Sequence, residues 1–211
     1  MSEPVIVLDK LTKSYGKRRG IDGVTFSVNA GEIFGFIGPN GAGKSTTIRT
    51  LMGLLNPTGG HASIFGLDCS QYAAEIARNV GYLPSENCYY NDLKVKDMLQ
   101  YTADLYGMDC HSRMAELAER LNLDLSRKIR DLSLGNKKKV GIVSALLPAP
   151  KLLIMDEPTS GLDYGHMLEV SRRLRELAEQ GLCVVVITHD GEFLRESGAW
   201  TADWLPNDKQ P

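Results

Sequence analysis

Nine consecutive residues, Gly38-Pro39-Asn40-Gly41-Ala42-Gly43-Lys44-Ser45-Thr46, fit the phosphate-cradling pattern G-x-x-x-x-G-K-[S/T]. Small and glycine positions let a backbone curl round an anion, so that successive N–H groups of Gly38, Asn40, Gly41, Ala42 and Gly43 point inward as donors. Lys44 is of a length to reach the β- and γ-phosphates of a nucleoside triphosphate, and the Ser45 hydroxyl, followed by Thr46, offers an oxygen to Mg²⁺. A second cluster lies far along the chain, where the apolar run Leu152-Leu153-Ile154-Met155 ends in the adjacent acids Asp156 and Glu157. At the tip of a parallel strand such a pair meets a bound nucleotide, the first acid beside Mg²⁺ and the second orienting an attacking water. His189 follows another apolar run, Cys183 to Thr188.

These residues need a frame to converge. Gly31 to Ile37 reads as a buried strand ahead of the phosphate-cradling turn, and Ser45 to Leu55 as a helix whose N-terminal dipole end adds to the attraction for phosphate. Upstream, Val5 to Leu8 and Val24 to Val28 form two strands around the turn-rich Tyr15 to Gly20, an antiparallel β subregion. After a turn and short strand within Asn56 to Gly66, a helix is expected over Gln71 to Arg78 and a strand over Val80 to Leu83, stopped by Pro84. Apolar residues recur at three and four over Val95 to Gly107 and Arg113 to Asn122, so the middle third is an α-helical insertion, about residues 86–135. Helices over Asn136 to Leu147 and Leu168 to Gln180 then alternate with strands at Lys151 to Met155 and Cys183 to Thr188. The expected fold class is α/β: a mostly parallel sheet with an N-terminal antiparallel subregion and a helical insertion, all in one domain of 211 residues.

Composition narrows the partners. The 24 basic and 26 acidic side chains leave a formal charge of −2, and no basic run forms a long stripe apart from Lys137-Lys138-Lys139, read as a solvated helix face, so nucleic acid is not expected as a ligand. The four cysteines show no C-x-x-C spacing, and no stretch approaches the eighteen or so apolar residues of a membrane span, which fits a chain of the reducing cytoplasm. A phosphate-cradling turn alone would serve a kinase, a GTPase or a motor. The guanine-reading N-K-x-D string is absent, which disfavours a GTPase.

Taken with the turn Asp131-Leu132-Ser133-Leu134-Gly135-Asn136 and with Ser160-Gly161-Leu162-Asp163, the order of these motifs over about the first 190 residues resembles the ATP-binding subunit of ATP-binding cassette (ABC) transporters, closest to exporter-type subunits for drugs, antimicrobial peptides or polymers. The resemblance implies a P-loop NTPase (RecA-like) fold, ATP and Mg²⁺ as ligands, and ATP hydrolysis. It implies that Tyr15 stacks on adenine, Ser133 to Asn136 form the signature turn, Asp156 and Glu157 are the Mg²⁺ acid and catalytic base, Ser160 to Asp163 form the dimer-contact loop, and His189 contacts the γ-phosphate. Two cassettes, identical or of two kinds, would close head to tail, each signature turn completing the other's site. A separate integral membrane permease would hold the pair at the inner face of the cell membrane. Three departures stand out. Ser85 replaces the Gln or Glu expected after Pro84, leaving Glu86 as the substitute Mg²⁺ ligand; Leu134 and Asn136 replace a Gly and a Gln of the signature; and only 22 residues follow His189, where a helix and β-hairpin are expected, so the C-terminus is short or truncated. Two other readings are an ATP-dependent binding switch with little turnover, and a soluble cassette acting on ribosomes or DNA. The latter is disfavoured by the lack of a second cassette or a long coiled-coil insertion.

Overall fold

The computed structural model describes residues 4–16, 18–38, 41–86 and 88–203. It contains two sheets. Strands β1 (Ile6–Tyr15) and β2 (Arg18–Val28) form a hairpin, and β1 also pairs antiparallel with β4 (Gly59–Ile64), which is extended by the short β5 (Leu67–Asp68). This antiparallel sheet has the order β2-β1-β4-β5, four strands where the sequence suggested two and a separate short one. The second sheet is wholly parallel. It consists of β3 (Ile33–Ile37), β6 (Val80–Leu83), β7 (Leu152–Asp156), β8 (Cys183–Ile187) and β9 (Trp200–Asp203) in the order β6-β7-β8-β3-β9.

The strand sequences are apolar almost throughout because both faces of this sheet are covered. The pleat divides them. Leu153, Met155, Val184 and Val186 enter one hydrophobic cluster with α3 (Val95–Tyr106), α4 (His111–Arg120), α5 (Leu134–Leu146), α6 (Tyr164–Glu179) and α7 (Gly191–Ser197). Leu152, Ile154, Val185 and Ile187 enter the other, with α1 (Lys44–Leu51), α2 (Ala73–Ala77) and the antiparallel sheet. Each such side chain, fully buried, contributes about 1.5–3 kcal/mol, so the central strands anchor both halves of the core.

The expected helical segment is present between β6 and α5, built from α3, α4 and a 3-10 turn at Ile129–Asp131. It closes on itself: Val95 N–H donates to Arg127 O (2.9 Å) and Ile129 N–H to Leu93 O (2.9 Å). Two helices begin earlier than expected for a local reason. Ser133 caps α5 by accepting the Asn136 N–H, and Asp163 caps α6 by accepting the His166 N–H.

The reading of Lys137 to Lys139 as a solvated face is corrected. Lys138 and Lys139 are both buried, and only 1% of Lys139 is exposed. Its ammonium donates to Leu121 O (2.8 Å) at the end of α4 and pairs with Glu169 Oε2 of α6 (3.2 Å). A cation buried with these partners ties three helices together. The chain beyond His189 also holds more structure than the sequence suggested: α7, and β9, whose Trp200 ring lies 4.5 Å from that of Phe34. Trp204 and the stretch 206–211 lie outside the described residues. Cys69, Cys110 and Cys183 are buried and Cys88 is exposed; all four are free thiols, and burial pushes Cys69 and Cys183 up to about 12. Among the described residues no helix is long and apolar enough to cross a membrane.

Candidate active site

The site forms where β3, β7 and β8 end. Between β3 and α1 the chain turns through Gly43 at φ +100°, a conformation open to glycine, with the backbone so close to β2 that a Cβ there would lie 2.5 Å from Ile21 Cγ2. Helix α1 therefore starts at a cavity of about 390 Å³, lined by Gly41, Ala42, Gly43, Lys44, Ser45 and Thr46 on one side and by Asp156, Glu157 and Ile187 on another. Gly20 and Ser85 complete the wall. Lys44 is buried, and its ammonium donates to the Gly38 carbonyl at the start of the turn. A cation, amide donors and two carboxylates gathered at one opening suit a charged ligand.

Parallel pairing delivers the acids. Asp156 lies opposite Ile187 in the register of β7 and β8, and the Ser45 hydroxyl at the start of α1 reaches Asp156 Oδ2 at 3.4 Å. Asp156 is only 7% exposed. Burial, then the charge of Glu157, raises its carboxyl above the ordinary range, opposed by Ser45, Lys138 and Lys44. A hydroxyl and a carboxylate facing each other are hard oxygen donors suited to Mg²⁺, so the residues present fit that ion.

Glu157 leaves the strand in the left-handed region at φ +49°, its N–H donating to Ile187 O (2.8 Å). Its carboxylate is held from both sides: Thr188 Oγ1 donates to Oε2 (3.1 Å), and His189 Nδ1 lies 3.0 Å from Oε1. The hydrogen bond to Glu157, followed by the carboxylate's charge, raises His189 above its usual value, although 79% of the imidazole is exposed. Lys138 enters from α5 and donates to Ser85 O (3.0 Å); burial lowers its pKa, against the pull of Asp156 and Glu157.

Among the sequence-derived candidates, Gly41 to Thr46, Asp156 and Glu157 meet at this cavity, Gly38 holds Lys44, and His189 joins through Glu157. Asn40 lies outside the described residues. Tyr15 ends β1 as an exposed ring with Lys13 Nζ 5.5 Å above it, and it does not line the cavity. Glu86 is exposed and does not line the cavity either; Ser85 does. Ser133 and Gly135 are elsewhere, at the start of α5. There Gly135 abuts the 160–163 loop: a Cβ on it would lie 3.3 Å from Gly161 O, and a Cβ on Gly161, at φ +80°, would collide with the Leu134 side chain at 2.3 Å. Sequence reasoning missed Thr188 and Lys138. The first was legible as the residue beside Glu157 once the two strands are paired; the second was not, because its partner carbonyl, Ser85, is distant in sequence.

The family model for ABC transporters matches residues 21–160. The chain is 37% identical over 188 residues to the bacitracin transport ATP-binding protein BcrA of Bacillus licheniformis, covering 88% of this chain and 61% of that one. It is 36% identical over 202 residues to the Nod factor export ATP-binding protein I of Paraburkholderia xenovorans, covering 93% and 66%. It thus spans about two thirds or less of the length of these relatives. A solved ATP-binding subunit of an ABC transporter superposes with a TM-score of 0.83 at 32% identity, covering 92% of this chain and 82% of that one. With the phosphate-cradling turn and the acid pair at one cavity and the matched stretch covering most of its length, the chain belongs to the ABC transporter family, as an ATP-binding cassette.

Proposed function

We propose that this cassette binds and hydrolyses Mg-ATP, closing head to tail on a second copy or a second cassette subunit, and so drives a separate membrane permease of an exporter. The observation that carries the reading is the meeting of Ser45, Asp156 and Glu157, from two distant parts of the chain, at the opening that Lys44 and the α1 amides face. Lys44 and the amides hold the β- and γ-phosphates; Ser45 and Asp156 hold Mg²⁺, which when bound offsets charge on the phosphate oxygens. Glu157 orients a water against the γ-phosphorus and takes its proton as the oxygen–phosphorus bond forms, while the bond to the ADP oxygen breaks. His189 steadies the γ-phosphate. Tyr15 is assigned to adenine, and Glu86 to Mg²⁺ in place of the side chain missing at Ser85.

Ser133 and Gly135 stand apart from their own chain's cavity, as donors to a partner's nucleotide would. Names of relatives that mention bacitracin transport and Nod factor export support an exporter, with the cassette peripheral on the cytoplasmic face through its permease. In the test, Glu157→Gln abolishes turnover and traps an ATP-bound dimer, seen by size-exclusion chromatography. Undiminished hydrolysis removes Glu157 from the role of base. If the wild type itself dimerises on ATP yet hydrolyses it barely, the chain is an ATP-driven switch instead, a reading that the short Ser85 at the cavity wall favours.

A further inference from the structure

The parallel register that sets Asp156 opposite Ile187 also sets the next two residues, Glu157 and Thr188, side by side. Thr188 is completely buried. Its hydroxyl has two neighbours at 3.1 Å: the backbone N–H of Asp190 and Oε2 of Glu157. The first can only donate, so the hydroxyl accepts there and its own proton points at the carboxylate. Asp190 is itself fixed, because its side chain caps α7 by accepting the N–H groups of Glu192 (3.1 Å) and Phe193 (3.0 Å). A chain of directed bonds therefore runs from the start of α7 through Asp190 and Thr188 to Glu157. On the other carboxylate oxygen sits His189, largely in solvent. The two contacts differ in kind. Water competes for the histidine, and a ligand in the cavity draws on it, whereas nothing reaches the buried threonine.

We propose that Thr188 is the positioning residue of the hydrolytic carboxylate: its hydroxyl clamps Glu157 Oε2 and leaves Oε1 as the oxygen presented to the attacking water. The inference rests on the assignment of Glu157 as base. Glu157 has left its strand in the left-handed conformation, and among the described residues the other side chain hydrogen-bonded to its carboxylate is the exposed imidazole of His189. Orientation of a base within hydrogen-bond reach is worth orders of magnitude in rate and little in substrate affinity. The role is thus visible as a kcat effect without a matching change in KM.

The experiment uses the full chain with Mg-ATP. Thr188→Val keeps the shape and removes the hydroxyl. It is expected to lower kcat by roughly tenfold to a hundredfold while the KM for ATP and the ATP-driven dimer stay within about twofold, and Thr188→Ser is expected to recover kcat to within about threefold. Should the valine variant fail to fold by far-UV circular dichroism, Thr188→Ala carries the same expectation. A kcat within twofold of wild type, a parallel loss of ATP affinity, or a serine variant as slow as valine each overturns the clamp. Glu157→Gln run alongside separates the two claims. If it hydrolyses freely the base assignment falls; if it is inactive while the valine variant is fully active, only Thr188 loses its role.

Discussion

The cavity at the strand ends and the turn at the start of α5 are both built from a helix N-terminus, yet they differ in how far they are finished. At the cavity, α1 presents its amides together with a buried lysine, a hydroxyl and two carboxylates, so charges of both signs are in place within one opening. At α5 the Ser133 hydroxyl accepts the Asn136 N–H, and the neighbours are Leu134 and the 160–163 loop. The first region has the chemistry for a nucleotide; the second has only the backbone geometry to touch one. What separates them is side-chain content, which is why one chain supplies a main site and, in the proposal above, an accessory half for another.

This contrast can be broken at its mountings first. Lys139 anchors α5 to α4 and α6, and Lys139→Ala leaves Glu169 and the Leu121 carbonyl without their cation; we expect a loss of about 3–5 kcal/mol in urea unfolding. A change below 1 kcal/mol would show the anchor to be dispensable. Next in size, Lys44→Ala is expected to weaken ATP binding by the monomer about tenfold to a hundredfold, the equivalent of a charge-assisted hydrogen bond of about 1.5–3 kcal/mol; calorimetric titration with unchanged affinity would contradict the role of the main cavity. Gly135→Val should act on the second region alone. Its side chain would press on Gly161 O and Leu162, so ATP-driven association is expected to fail while monomer affinity stays within about twofold. If the monomer instead loses ATP, the two regions are not separable.

The smallest effect is electrostatic. The carboxylate of Glu157 raises His189, so the imidazole titration followed by NMR is expected to have its midpoint above about 6.5, falling back in Glu157→Gln. For a group raised on folding, the added stability is full below the unfolded value of about 6.5 and fades as pH climbs through the higher folded one. An unmoved midpoint in the glutamine variant would mean that the pair is not formed in solution.

Much of this was legible before any coordinates. The phosphate-cradling turn and the acid pair are contiguous strings, each bounded by strongly patterned elements, so local sequence alone fixes what they are and which strand ends they occupy. What escaped depends on partners far along the chain. Nothing local shows that Lys138 and Lys139 turn inward, because their acceptors at Ser85, Leu121 and Glu169 lie 53, 18 and 30 residues away. Strand β9 escaped because it is a four-residue edge that exists by pairing with β3 and by laying Trp200 on Phe34. Helix α7 does carry a local signal, since Asp190 before Gly191-Glu192-Phe193 is a capping signature.

The thiols set out an accessibility map of practical use. Three are enclosed in the interior, two of them with acidities so weakened that maleimides and iodoacetamides have almost no thiolate to attack, whereas Cys88 lies open beside Tyr89, whose hydroxyl grips the Lys137 carbonyl of α5. This stretch of chain thus carries one open thiol, Cys88, as an attachment point for a fluorophore or spin label between β6 and the helical insertion.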